Sequence, residues 1–459
     1  MIPMTLAEVA GVVGGRIVDG DSDIVVTSAV ADSRDAVAGC MFVAIAGQRV
    51  DGHDFVDEAR ARGAVVTLAS RPVGSAALVV ADPVHALGLL AAYVIQRLPD
   101  TLVLGITGSS GKTTTKDMLA AILAPHGESV APRNSFNSEV GLPLTVLSCA
   151  TTTRFLVLEM GMRGHGHISH LCQIAHPRIT GLINVGSAHL ELLGSREAIA
   201  QAKGEIIEAL PADGLAVLHA DNPLVMDQAP RTRARIRTFG ESSQADVRAS
   251  DVTLDPLARA AYTVHADGAS ARVQLRMAGE HQVANALAAT AMALAAGIGL
   301  DDICASLCAY EPVSKWRMEI HERTDGTIIV NDAYNANPES MRAALKALVA
   351  MGEGRRTWAV VGEMKEIGAT SVDEHDAIGR LAVRLDIDRL IAVGDGARPV
   401  HLGASHEGSW GDESAWVPDP QAAVDLLRAQ VHPGDVVLVK ASRSVGLDAV
   451  ATALIEDAS

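Results

Sequence analysis

The stretch Thr101-Leu-Val-Leu-Gly-Ile-Thr-Gly-Ser-Ser-Gly-Lys-Thr-Thr-Thr115 decides the fold. Thr101 to Ile106 is a compact apolar run that suits a buried strand. Beyond Thr115 the apolar residues Leu119, Ile122 and Leu123 mark one face of a helix. A strand, a turn of small residues and a helix together make a phosphate loop. The small residues let backbone N–H groups approach phosphates, and the helix N-terminus adds the positive end of its dipole. Gly108, Ser109, Ser110, Gly111, Lys112, Thr113 and Thr114 are the expected phosphate cradle. Lys112 reaches the terminal phosphates and Thr113 offers its hydroxyl to magnesium. The spacing is T-G-x-x-G-K-T, with Ile106 where the strict motif has glycine. The plain alternative is an ordinary Gly/Ser turn. The strand before it, the Lys-Thr pair and the helix after it argue against that.

Working outward, 459 residues at about 150 per domain suggest three domains. Residues 1–99 hold short strand-like runs, Cys40 to Ile45 and Ala64 to Leu68, between helical stretches. Residues 100–312 carry the phosphate loop, further buried-strand candidates at Phe155 to Glu159 and Ile179 to Val185, and a helical pattern from Gly279 to Gly297. Residues 313–459 alternate helices with strands at Thr327 to Asp332, Trp358 to Gly362, Leu390 to Gly394 and Asp435 to Lys440. Such alternation predicts parallel sheets covered by helices. The expected class is α/β in three domains. The first is small, the central one has a mostly parallel P-loop ATPase-type sheet, and the last is Rossmann-like.

A formal net charge of -17 excludes the basic stripe of a nucleic-acid binder. It does not exclude small anions, which a few local lysines and arginines can hold. Five scattered cysteines do not form a disulfide framework, and Cys304 with Cys308 lack a second pair for zinc. No run reaches the roughly 18 apolar residues of a membrane span, and the N-terminal residues do not read as a signal peptide. A cytoplasmic protein without membrane insertion is expected.

Further segments extend the case. They are Asp32-Ser-Arg34, Phe42-Val-Ala-Ile-Ala-Gly47, Asp51-Gly-His-Asp-Phe55, Asn134-Ser-Phe-Asn137, Gly141-Leu-Pro143, Glu159-Met-Gly161, Ala188-His-Leu-Glu191, Ala202-Lys-Gly-Glu205, Asp332-Ala-Tyr-Asn-Ala-Asn-Pro338, Gly362-Glu-Met-Lys-Glu366 and Lys440-Ala-Ser-Arg443. With the phosphate loop, they resemble the Mur ligases over essentially the whole chain. The Asp332 to Pro338 segment resembles the members that add D-alanyl-D-alanine to UDP-N-acetylmuramoyl-tripeptide. The resemblance implies that ATP activates a carboxylate as an acyl phosphate, which an amine then attacks. It implies Lys112, Lys203, His189 and Arg317 as catalytic, and Asn285, Arg317, Asp332 and Asn335 as further ATP contacts. Thr113, Glu159, His189 and Lys203 would hold two magnesium ions, with Lys203 carbamylated. Ser33, Arg34, Asn134 and Asn137 would meet the UDP substrate. A monomer is expected. Two departures stand out. Ser314-Lys-Trp-Arg317 replaces a common Gly-Arg, and His281-Gln282 replaces a His-Asn pair.

Several of these residues have plainer readings. Glu159 reads equally as a strand-end carboxylate facing water, His189 is a lone histidine, and Lys203 suits a surface ion pair with a neighbouring glutamate. His165, His167 and His170 make a poor zinc spacing, with His167 alone expected near substrate. The alternative function is another amide-forming Mur or folate-polyglutamate-type ligase. Such a folate ligase typically carries Gly-Lys-Gly-Ser in its loop and lacks the N-terminal domain.

Overall fold

A computed structural model describes residues 1–47, 50–132, 135–409 and 411–457, so Asn134 lies outside the described residues. The described residues form three main sheets of five, nine and six strands, one per expected domain, beside a two-stranded ribbon, Met4–Thr5 with Val25–Val26. Among the described residues no helix is long and apolar enough to cross a membrane.

The first main sheet runs in the order Arg16–Val18, Ala77–Val79, Val66–Ala69, Cys40–Val43, Ser28–Val30. Only its Arg16–Val18 edge is antiparallel. The helix Pro83–Gln96 begins at Asp82, whose carboxylate accepts from the Val84 and His85 amides, with Pro83 in the first helical position. Its apolar side, Leu87, Leu90, Ala91 and Val94, joins Leu142, Leu158 and Ile174 of the central domain in one continuous core.

The central sheet is parallel from Ser129–Val130 through Phe155–Glu159, Leu102–Thr107, Ile179–Leu182, Leu215–His219 and Arg235–Gly240 to Val247–Leu254. The last two strands, Arg259–Ala266 and Ala269–Ala278, pair antiparallel. The sheet is thus mostly parallel, as expected, with an antiparallel hairpin at one edge. The cause is local: Asp267 and Gly268 sit at φ 50° and 80°, the left-handed pair of a tight hairpin turn, and inward and outward residues alternate on either side.

The third sheet runs Glu319–Glu322, Ile328–Asn331, Val436–Lys440, Thr357–Gly362, Arg389–Val393, Ser414–Val417. Its first strand alone is antiparallel. This domain buries its own cores on the two faces of the sheet, with Ala258 and Ala278 of the central hairpin packed into one of them.

Candidate active site

The phosphate loop leaves the strand Leu102–Thr107 and enters the helix Lys112–Leu123. Gly111 caps that helix at φ 76°, and a Cβ there would stand 2.2 Å from Asn285 Oδ1, so both conformation and space require glycine. Asn184, just past the neighbouring strand, holds the loop open. Its Oδ1 accepts from the Ser109 and Ser110 amides at 2.8 and 3.0 Å, and its Nδ2 donates to the Ser110 carbonyl at 3.0 Å. At the back, the Gly108 carbonyl accepts from two lysine side chains, Lys112 Nζ at 2.8 Å and Lys203 Nζ at 2.9 Å.

Lys203 is 1% exposed on the helix Arg196–Glu208, whose N-terminus Ser195 caps by accepting from the Ala198 amide. Burial first, then the Lys112 charge, push its amine far below the ordinary lysine range, against a smaller pull from Glu159. The surface ion-pair reading of Lys203 is therefore excluded.

Glu159 ends the strand Phe155–Glu159 and is 1% exposed. Its two oxygens accept from Thr113 Oγ1 at 2.8 Å and Asn137 Nδ2 at 2.7 Å. A buried carboxylate beside a hydroxyl at a phosphate loop supplies the hard oxygen ligands that magnesium takes. Magnesium keeps waters and substrate phosphates in its shell, so two protein oxygens suffice. Among the described residues no group of three His, Cys, Asp or Glu forms an all-protein cage.

The third domain contributes across the seam. Arg317 Nη2 donates to Thr113 Oγ1 at 2.9 Å and Ser135 Oγ at 3.1 Å, and its guanidinium lies 4.1 Å from the Tyr334 ring centre. Glu366 Oε2 stands 2.8 Å from His189 Nδ1. Both residues are non-glycines in the left-handed region, at φ 64° and 68°. Such strain persists only where surrounding structure enforces it. Glu339 accepts from the Ser187 amide and hydroxyl at 3.0 and 2.9 Å.

Two cavities meet here. One, about 550 Å³, contains the phosphate loop together with Asn285, Asp332 and Asn335. The other, about 570 Å³, runs from Asp82 and His85 of the first domain past Arg163, His167 and His170. Lys112, Asn137, His189 and Glu366 line both.

Most expected site residues therefore converge, with Gly108 and Lys203 just behind the loop. Ser33 and Arg34 do not line either cavity. Ser33 donates to Glu58 at 2.9 Å, and Arg34 pairs with Asp32, whose carboxyl it holds down at about 2. Asp332 is committed to its own domain: one oxygen accepts from Lys440 Nζ at 2.7 Å, the other from the Met318 amide at 3.1 Å. Asn184, Ser135, Glu366, Tyr334 and Lys440 make contacts at the site that the sequence reading left unassigned. The last four lie in segments quoted above for their resemblance, and Asn184 was legible as the first polar residue after a buried strand.

Three family descriptions match the chain: "Mur ligase family, catalytic domain" at residues 26–92, "Mur ligase middle domain" at 106–293 and "Mur ligase, glutamate ligase domain" at 316–443. The chain is 46% identical to the UDP-N-acetylmuramoyl-tripeptide–D-alanyl-D-alanine ligase of Mycobacterium tuberculosis H37Rv, covering 100% of this chain and 98% of that one. It is 34% identical to the ligase of the same name from Escherichia coli K12, over 100% and 99%. Among solved structures it is similar to MurF from Acinetobacter baumannii, with TM-score 0.89, 32% identity and 99% of both chains covered. MurF ligase from Thermotoga maritima in complex with ADP matches with TM-score 0.81 and 32% identity over 94% of this chain and 97% of that one.

Proposed function

The chain belongs to the Mur ligase family, and from that premise we propose how its residues add D-alanyl-D-alanine to UDP-N-acetylmuramoyl-tripeptide with cleavage of ATP. The observation that carries the reading is the meeting of the two cavities at Lys112, Asn137, His189 and Glu366. A nucleotide in one cavity and a peptide carboxylate in the other would bring two anions together only at that wall.

A tripeptide carboxylate oxygen attacks the γ-phosphorus, and the bond to ADP breaks. The dipeptide amine then attacks the acyl carbon, loses a proton, and phosphate leaves. Lys112 neutralises the transferring phosphoryl group, and Arg317 joins it from the third domain. Positioning and charge neutralisation supply most of such catalysis. Thr113 and Glu159 would hold magnesium with His189 nearby, and the metal supplies charge neutralisation at the phosphates. Asn285 and Asn335 would contact the nucleoside. Asp332 would reach its ribose only by sharing the carboxylate that Lys440 already holds. Ser33 and Arg34 would serve the uridine end once Arg34 leaves Asp32. The same reading has a monomer at work in the cytoplasm.

Lys203 enters as a carbamate. Its neutral amine attacks carbon dioxide, an N–C bond forms and a proton leaves. The anion would provide oxygens for a second magnesium and place a negative charge beside the Lys112 ammonium.

The test is phosphate release. ADP and phosphate form in equal amounts only when UDP-muramoyl-tripeptide and D-alanyl-D-alanine are both present. AMP and pyrophosphate would overturn the acyl-phosphate route. Arg317→Ala is expected to lower kcat about 100-fold while the KM for the UDP substrate changes by less than about threefold, because the arginine acts in the transition state. A pure loss of UDP-substrate affinity would place Arg317 elsewhere.

A further inference from the structure

The segment that presents Arg317 is strained on both sides. Trp316 sits at φ 59° and Met318 at φ 53°, both left-handed, and neither is glycine. A bulky residue rarely adopts that region. The hydrogen bonds to the Trp316 and Met318 backbone come from the third domain, and just before them Ser314 donates to Asp117 of the central domain. The Trp316 amide donates to Glu319 Oε2 at 3.0 Å, and its carbonyl accepts from the Tyr334 amide at 3.1 Å. The Met318 amide donates to Asp332 Oδ1 at 3.1 Å. The indole is covered by Arg443, whose guanidinium lies 3.9 Å from the ring centre and is anchored by Asp448 at 2.9 Å.

We propose that Trp316 and Arg443 are positioning residues for Arg317: the Arg443–Trp316 stack locks a left-handed backbone that aims the Arg317 guanidinium at Thr113. A cation over an indole face is the strongest form of cation–π contact. The stack therefore replaces, with a side-chain clamp, the conformational freedom that glycine would supply at 316. The neighbouring Tyr334 does a paired job. Its amide fixes the Trp316 carbonyl while its ring supports the Arg317 guanidinium. Arg317 is thus delivered as a rigid projection of the third domain. The inference rests on the reading of Arg317 given above.

The experiment is a rescue cycle. Arg443→Ala removes the cover and leaves the strain, so kcat is expected to fall about tenfold with the KM for the UDP substrate within about twofold. Trp316→Ala keeps the left-handed requirement without the indole and falls similarly. Trp316→Gly added to Arg443→Ala removes the need for the clamp and recovers kcat to within about threefold of the parent protein. Arg443→Lys retains part of the activity. Arg317→Ala is run alongside. If it fails to lower kcat, the reading of Arg317 is wrong. If it lowers kcat while Arg443→Ala does not, or glycine at 316 brings no recovery, the positioning role is overturned. Should Arg443→Ala not fold, Trp316→Ala compared with Trp316→Gly decides, since only the glycine variant is expected to keep activity.

Discussion

Lys112→Ala is expected to reduce turnover about 1000-fold or more while the protein keeps its fold, a loss of about 4 kcal/mol in transition-state stabilisation. Lys112 lies where the two cavities join, and its ammonium rests on the Gly108 carbonyl. The helix it opens does not depend on it: Gly111 provides the cap, and Met118, Leu119, Ile122 and Leu123 provide the buried face. Enclosure by the protein lowers its pKa, Glu159 raises it again, and Arg317 lowers it. Thermal unfolding close to that of the parent protein, combined with phosphate release, is the measurement. Near-normal kcat in a folded variant would remove Lys112 from the mechanism.

Lys203→Ala is expected to lose about 100-fold or more in kcat and to recover part of it when acetate or another short carboxylate is added. The Lys203 amine is buried and held far below the ordinary lysine range. Burial and the neighbouring Lys112 charge both favour the neutral amine, the form that carbon dioxide would require. A small carboxylate entering the vacated space would restore the anion without the tether. A fully active variant with no response to carboxylates would sink the carbamate. Mass measured on the intact parent protein under bicarbonate gives an independent reading.

Legibility in the sequence followed burial. Apolar runs became strands within a residue or two: Phe155–Glu159 as quoted, Leu102–Thr107 and Val436–Lys440 one residue inward at the start. These strands are covered on both faces, so their pattern is a continuous run. The run from Ile179 to Val185 stops as a strand at Leu182, because Asn184 turns away to hold the phosphate loop. The edge hairpin escaped because its alternation is diluted by alanines, although Asp267-Gly268 was there to be read. Side chains that act at the site were legible where a local motif carries them. Glu366 and Arg317 meet their partners only when the third domain lies against the central one, a contact between residues more than 140 positions apart (His189 with Glu366, Thr113 with Arg317) that no spacing encodes.

The way the cores divide sets how the molecule responds to heat and to ligand. The first and central domains share one apolar core, so neither can lose its packing without exposing the other's. They form one cooperative unit. The third domain takes two small side chains of the central hairpin, Ala258 and Ala278, into its own core, and polar point contacts complete the seam: Glu339 on Ser187, Ser314 on Asp117, Arg317 on Thr113 and Glu366 beside His189. Contacts of that kind contribute little net free energy in water but gain as water is excluded. The docking of the third domain is therefore the soft degree of freedom. Nucleotide bound at the seam would stabilise that docked state by mass action, so melting of the third domain reports on ligand occupancy more directly than melting of the rest.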